Sequence, residues 1–487
     1  MKHIATKQEL AKKDALDLSL LEQEINSHFH STWMRTKDRF ETQLEFPLCQ
    51  TNLGRINKPS QDLREMFSYP SISRGLLLQR DLFFTPDYHG GIVYIWPTKL
   101  CPLGCSHCLF GAPKYTDITK VMAKTKLDEN QLQKAIAFTN TMKADIVVLS
   151  GGGEPFQEKE SSYQILRNVE APTIHIITNG FWANDQLGAA KIFDELENLF
   201  NERIKSAKAI SKLVMKLSLD EAHQQHLPLE NLLRIVKEYL SRNFSFQFEL
   251  RMKSIFRDDK AVEMFLKEMR SQYPTSHVES IDDFKIKIIF EGGKSILVTF
   301  KNKVYSARGE VKIMDGLVSN YNSSYVEYIK SKLPQPHINP TNQALGGDNI
   351  EFPNGVNYTI EHDGSVKLLE ATPLDNVPNI SDNDFDDVQK IIFSDPISYL
   401  SRLDGPEEVY KIGAEVDPEH LEFTMRQNAL YYNLERILFT PKIRLYATIR
   451  AIQILASKHP EIFKNLESIR HEFWFNAKVQ ELQALVK

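Results

Sequence analysis

From residue 90 the chain alternates short β-branched or aromatic runs with longer amphipathic segments, and that alternation leaves few folds open. The runs predicted as strands are Gly91–Thr98 (GIVYIWPT), Asp145–Ser150 (DIVVLS), Thr173–Thr178 (TIHIIT), Leu213–Leu219 (LVMKLSL), Ser245–Met252 (SFQFELRM) and Phe284–Phe290 (FKIKIIF). Helical spacing is predicted near 127–141, 158–168, 186–208, 229–242 and 259–272. Strand–helix repetition predicts parallel pairing through crossover helices, and near-continuous apolar strands fit a sheet buried on both faces. Six such strands rather than eight predict an α/β fold of partial (β/α)6 TIM-like barrel type over residues 90–290.

Segments of other character flank this core. Residues 1–89 read as a helical N-terminal extension, with Leu18, Leu21, Ile25 and Phe29 at helical spacing and a polar, turn-rich stretch at 47–61. The C-terminal extension is α+β in pattern. Residues 291–400 hold a hairpin signal, in which Val356–Ile360 and Val366–Leu369 flank an Asp363-Gly364 turn. Residues 401–487 are helical in pattern.

The chain has 487 residues and a net charge of −5, which gives no overall electrostatic case for nucleic acid. Its four cysteines are Cys49, Cys101, Cys105 and Cys108. Three of them lie within eight residues, a spacing that fits metal binding in a reducing compartment better than a disulfide framework. No signal-peptide h-region and no apolar run of about 18 residues is present, so a cytoplasmic protein without a membrane span is expected.

The cysteines sit in Trp96-Pro-Thr-Lys-Leu-Cys101-Pro-Leu-Gly-Cys105-Ser-His-Cys108-Leu-Phe-Gly111, directly after the first predicted strand. Three thiolates on one loop can hold three irons of a cubane and leave the fourth iron open for chemistry. The competing reading is a structural zinc site using the same cysteines and His107, but zinc knuckles carry paired CxxC units or an HxxxH partner. Neither is present. Cys49 reads as an ordinary thiol.

A CxxxCxxC loop after the first strand resembles the signature of the radical S-adenosylmethionine (SAM) superfamily. The resemblance implies one 4Fe-4S cluster on Cys101, Cys105 and Cys108, with SAM chelating the open iron. It also implies an electron donor such as flavodoxin or ferredoxin, and a 5′-deoxyadenosyl radical that abstracts hydrogen from substrate. His107 stands where the family has an aromatic residue, and would line the cluster beside the adenine. Gly152, Gly153 and Glu154, at the end of the second strand, are similar to the family's GGE motif, which contacts the SAM amino group. Asn179 lies in the turn after the third strand at the same end. At the end of the fourth strand, Ser218 is implied to hydrogen-bond SAM and Asp220 to face substrate. Alternation places Glu249 and Arg251 on one face of the fifth strand. Arg251 would pair either with the SAM carboxylate or with a neighbouring carboxylate in a structural ion pair. Asp220 and Glu249 are the candidate catalytic residues. His223 and His226 form an HxxH pair that is either an ordinary loop feature or a substrate contact.

Residues 358–380 (YTIEHDGSVKLLEATPLDNVPNI) resemble a SPASM or twitch extension at Asp363, Gly364, Val366, Asn379 and Ile380. Leu368 and Leu369 stand where its cluster cysteine belongs, so the resemblance is to an extension without its auxiliary cluster. The resulting expectation is an enzyme acting on a peptide or small natural product. Two alternatives are an RNA-modifying relative, using the basic run Lys301, Lys303, Tyr305, Arg308 and Lys312, and a non-enzymatic protein with a structural metal.

Overall fold

The computed structural model describes residues 82–105, 108, 112, 125–206, 212–254, 259–282, 285–300, 355–368, 377–404, 408, 409, 412 and 441–467. Cys49, His107, the basic run at 301–312 and most of the helical N-terminal extension lie outside the described residues.

The core alternates as its hydrophobic pattern requires. Strands β1 (Gly91–Ile95), β2 (Ile146–Leu149), β3 (Thr173–Thr178), β4 (Lys212–Ser218) and β5 (Gln247–Ser254) are separated by helices α1 (Glu129–Thr141), α2 (Lys159–Asn168), α3 (Gln186–Lys205), the short α4 (Glu221–Gln224) and α5 (Glu230–Ser241). Helix α6 (Lys260–Gln272) leads to β6 (His277–Asp282), β7 (Lys285–Ile289) and β8 (Ser295–Phe300). The tail supplies β9 (Val356–Ile360), β10 (Val366–Leu368), α7 (Phe385–Phe393), α8 (Pro396–Asp404) and α9 (Pro441–Lys458). Acidic caps fix several helix starts: Asp128 forms a capping box with Gln131, and Asp185, Asp259 and Asp384 accept backbone N–H groups at α3, α6 and α7.

All ten strands form one open sheet in the order β10-β9-β1-β2-β3-β4-β5-β8-β7-β6. Every pair from β9 to β8 in that order is parallel; β10, β7 and β6 run antiparallel to their neighbours. Two assignments differ from the sequence pattern. The run at 284–290 is not the sixth parallel strand. A short turn at Glu291–Lys294, with Gly292 and Gly293 at φ of 87° and 86°, folds β7 back on β8. A strand joined by so short a turn must be antiparallel to its neighbour, so Ser295–Phe300 takes the sixth position. A seventh parallel strand comes from the tail, because β9 pairs with the free side of β1 from Gly91↔Val356 to Ile95↔Ile360.

The two faces of the sheet have different roles. Val93, Val147, Ile174, Met215, Leu250 and Ile296 point into the main core together with residues of the helices. The opposite, inner face carries a small apolar group, Ile92, Tyr94, Ile146 and Val148, with Ile177 packed on it. The tail is pinned to α1 from two sides. Phe138 meets Tyr358 at 5.4 Å and Phe385 at 5.2 Å, both edge-on. The Gln131 amide donates to the Asp363 carbonyl and to Ser381 Oγ, each at 2.8 Å.

Candidate functional site

The loops that follow the parallel strands all emerge at one edge of the sheet, where α/β folds place their ligands. Strand β1 stops at Ile95, and Pro97 takes the chain out of the ladder. Thr98, fully buried, then donates to the Thr125 carbonyl at 2.9 Å and accepts from Leu100 N at 3.0 Å. This fixes the lead-in to the cysteines. Cys105 is buried, and Cys101 and Cys108 are partly buried. All three are free thiols. Burial pushes the Cys101 thiol up to about 11, with the Glu154 carboxylate and Cys108 adding to the rise. Cys105 is pushed up to about 12, first by burial, then by Cys101, Cys108 and Asp220. Those mutual effects place the three sulfurs, Glu154 and Asp220 in one neighbourhood.

The glycine run after β2 is shaped by that loop. Gly153 N donates to the Thr98 carbonyl at 3.1 Å, and Glu154 N to the Leu100 carbonyl at 2.8 Å. A Cβ on Gly153 would lie 2.2 Å from the Leu100 carbonyl oxygen and 2.5 Å from the Lys99 carbonyl carbon, so only glycine fits there. Gly152 sits beside the Trp96 ring, which its Cβ would meet at 3.4 Å. Glu154 is 3% exposed and binds three donors of the chain itself: Thr178 Oγ1 at 2.7 Å, Asn179 N at 2.8 Å and Phe156 N at 3.3 Å. Burial raises its carboxyl to about 7 despite these bonds. Asn179, held in this way, donates from Nδ2 to Cys101 Sγ at 3.7 Å. Gly180 follows at φ 80° and lets the chain turn away into a short 3-10 helix.

At the end of β4, Asp220 is buried and caps α4 through His223 N at 2.9 Å. Its two oxygens also both lie 2.8 Å from His223 Nδ1. Burial opposes a charge on His223, but the Asp220 carboxylate outweighs it and holds the imidazole above its usual pKa. His226 is exposed on the following turn, so the HxxH pair is divided. Ser218 is half-buried on the inner face of β4, opposite Lys253.

On β5, Arg251 Nη2 and Nε donate to Glu249 Oε2 at 2.6 and 3.1 Å, and Lys212 Nζ reaches Glu249 Oε1 at 2.6 Å. Burial favours a protonated Glu249, but the bonds from Lys212 and Arg251 prevail and hold its pKa low. Arg251 is thus paired with the neighbouring carboxylate of Glu249.

The inner-face cations beside this pair were not singled out by the motifs. Lys216 on β4 is 1% exposed, His175 on β3 is 2% exposed, and Lys253 on β5 is half-buried. The available signal was spacing. Lys212, Lys216 and Ser218, like Glu249, Arg251 and Lys253, fall on alternate positions of otherwise apolar strands.

Neither a scan against protein-family models nor a search of curated proteins finds a match to this chain. Among solved structures it is similar to the FeFe-hydrogenase maturase HydG from Carboxydothermus hydrogenoformans. That likeness covers 96% of this chain and 99% of the other, at 11% identity and a TM-score of 0.30. At that level it assigns neither family nor chemistry. No described helix is long and apolar enough to cross a membrane.

Among the described residues, one group of three metal-binding side chains has all its donor atoms within 4.8 Å of one another: Glu361, His362 and Asp363, after β9. In the hairpin group, Glu361 is already paired with Lys367 at 3.0 Å, and Asp363 accepts from Ser365 N at 2.9 Å.

Proposed function

We propose that this chain is a radical SAM enzyme with a partial-barrel core and one 4Fe-4S cluster on Cys101, Cys105 and Cys108. The observation that carries the proposal is three free thiols on one loop at the C-terminal edge of a parallel sheet, flanked by Glu154, Asn179 and Asp220. This donor set fits a cubane, since thiolates are its usual ligands and three of them leave one iron open. An open sheet with one helix-covered face and a buried opposite face agrees with a partial barrel.

When bound, the cluster and SAM would supply reductive cleavage of the sulfonium and a 5′-deoxyadenosyl radical for hydrogen abstraction. The chain's own residues hold that chemistry in place. Asn179 donates to the Cys101 sulfur, an outer contact of the kind that tunes a metal ligand. Glu154 locks the turn after β3 against the cysteine loop, and Gly153 lets the two loops touch. Gly152, Ser218 and the backbone around Glu154 are the groups proposed to hold SAM. Asp220 and His223 form a paired acid and base beside the thiols. His107 beside the adenine, and an external electron donor, complete the proposal. The tail hairpin adds β9 to the free side of β1, and Trp96 N donates to the Ile360 carbonyl at 2.9 Å; we propose it as an extension without a cluster. The substrate class proposed is a peptide or small natural product.

The test is anaerobic reconstitution with iron and sulfide, reduction with dithionite, and addition of SAM. The expected result is about four irons per chain and formation of 5′-deoxyadenosine, both lost when all three cysteines are changed to Ala. Stoichiometric zinc, no iron uptake and intact SAM would overturn the proposal.

A further inference from the structure

The turn after β3 is fixed from within by four buried side chains, Glu154, Thr178, Asn179 and Trp182. Thr178 Oγ1 accepts from Trp182 Nε1 at 3.0 Å and from Gly180 N at 3.2 Å. A hydroxyl offers two acceptor positions and one proton, so the proton is left for Glu154 Oε1, at 2.7 Å. The second oxygen of the same carboxyl group, Oε2, holds the backbone N–H of Asn179 at 2.8 Å. The Asn179 side chain is oriented as well. Its Oδ1 accepts from Phe181 N at 2.9 Å, and a backbone N–H can only donate, which assigns the amide oxygen to that side. Nδ2 is thereby turned toward Cys101 Sγ, at 3.7 Å.

Helix α5 closes the turn from behind. Asn231 Nδ2 donates to the Gly180 carbonyl at 3.3 Å, and Arg234 Nη1 donates to the carbonyls of Ala183 and Asn184 at 3.0 and 2.8 Å. A buried polar network whose members are satisfied is rigid, so the amide donor stands ready beside the sulfur. Hydrogen bonds to cluster sulfurs are one of the levers that set a reduction potential. A donor draws electron density from the sulfur and favours the state that carries the extra electron.

We propose that Asn179 raises the reduction potential of the cluster held by Cys101, Cys105 and Cys108, and that Trp182, Thr178 and Glu154 are positioning residues that act through it. This deepens the radical SAM reading and rests on its cluster. The one electron comes from the external donor, and no bond forms or breaks in that step.

The test uses the full chain, reconstituted with iron and sulfide and titrated with dithionite in the absence of SAM, with the reduced cluster read by electron paramagnetic resonance. Asn179→Ser keeps an oxygen for Phe181 N but stops one bond short of Nδ2, and Asn179→Leu removes both polar atoms. Each is expected to lower the reduced-to-oxidised ratio at a fixed potential by about tenfold, about 59 mV for one electron. Thr178→Val should lower it by about threefold, and Thr178→Ser, which restores the hydroxyl, should stay within about twofold of the parent. Because Thr178 acts through Asn179, the double variant Thr178→Val/Asn179→Ser should match Asn179→Ser alone. The proposal is overturned if loaded Asn179→Ser and Asn179→Leu keep the parent's potential, or if the two changes add in full in the double variant. Should neither Asn179 variant hold iron, Thr178→Val decides, and the parent's potential there overturns the proposal. A parent chain that takes up no iron overturns both the proposal and the radical SAM reading. An Asn179-dependent potential in a chain that holds a cluster yet leaves SAM intact would support the relay while breaking that reading.

Discussion

Seen from the helices, strands β1 to β5 present Val93, Val147, Ile174, Met215 and Leu250, all fully buried and all apolar. Seen from the other side, the same strands present Ile92, Ile146, His175, Lys216 and Arg251. The first set is what apolar burial favours, at about 25 cal/mol per Å². The second half of the other set is what apolar burial disfavours. Adjacent positions of one strand thus meet different surroundings, apolar packing on the helix side and buried polar or charged groups on the inner side.

The largest effect should come from a change at the thiols. Cys105→Ala is expected to reduce SAM cleavage by about a thousandfold or more, as loss of an essential catalytic group does, with iron per chain falling in parallel. Circular dichroism should remain that of the parent, and a collapse of the fold would show that the inner side also carries stability. A matched pair on β3 comes next. Ile174→Ala, on the helix side and fully buried, should cost about 2–5 kcal/mol in urea unfolding. Ile177→Ala, three residues on and half-buried on the inner side, should cost about 1 kcal/mol. Equal losses would break the division between faces.

A pH experiment sharpens the comparison at about 3 kcal/mol. Glu154 is raised from 4.5 to about 7 in the folded state, so the folded chain holds its proton more tightly than the unfolded chain does. Stability from this group is therefore full below pH 4.5, falls as pH rises, and is lost above about 7. Glu154→Gln should flatten that fall, read as urea midpoints at pH 5 and 7.5. Gly153→Ala is expected to cost about 1–3 kcal/mol from overpacking against the backbone of Lys99 and Leu100, accompanied by weaker SAM binding because the two loops are forced apart.

Much of this arrangement is legible in the residues. Strands β1 to β5 and their helices carry periodic apolar patterns over enough residues to define both element type and parallel order. The Asp384 cap with Asp386 and Asp387 in the first turn marks the start of α7 within a few residues. What failed was long-range pairing. FKIKIIF has the same local pattern whether it runs with or against the sheet, and only the Gly292-Gly293 turn decides. Nothing local in VNYTI announces that it will pair with β1. At the site, the cysteine spacing is explicit in the sequence. The engagement of Glu154 with Thr178 and Asn179 is not, because it joins side chains more than twenty positions apart.

The β1–β9 pairing also has a consequence for the order of synthesis. Val356 follows Ile95 by about 260 residues, which at roughly 5–20 residues per second takes about 13–50 s to add. Over that interval β1 can be paired on one side by β2 while its other edge, and the Ile92 N–H later held by Asn357, faces solvent or a chaperone. The cysteine loop hangs directly from that edge. Iron delivered while the chain is still on the ribosome would meet a strand with one flank bare, whereas iron delivered after release would meet the finished sheet.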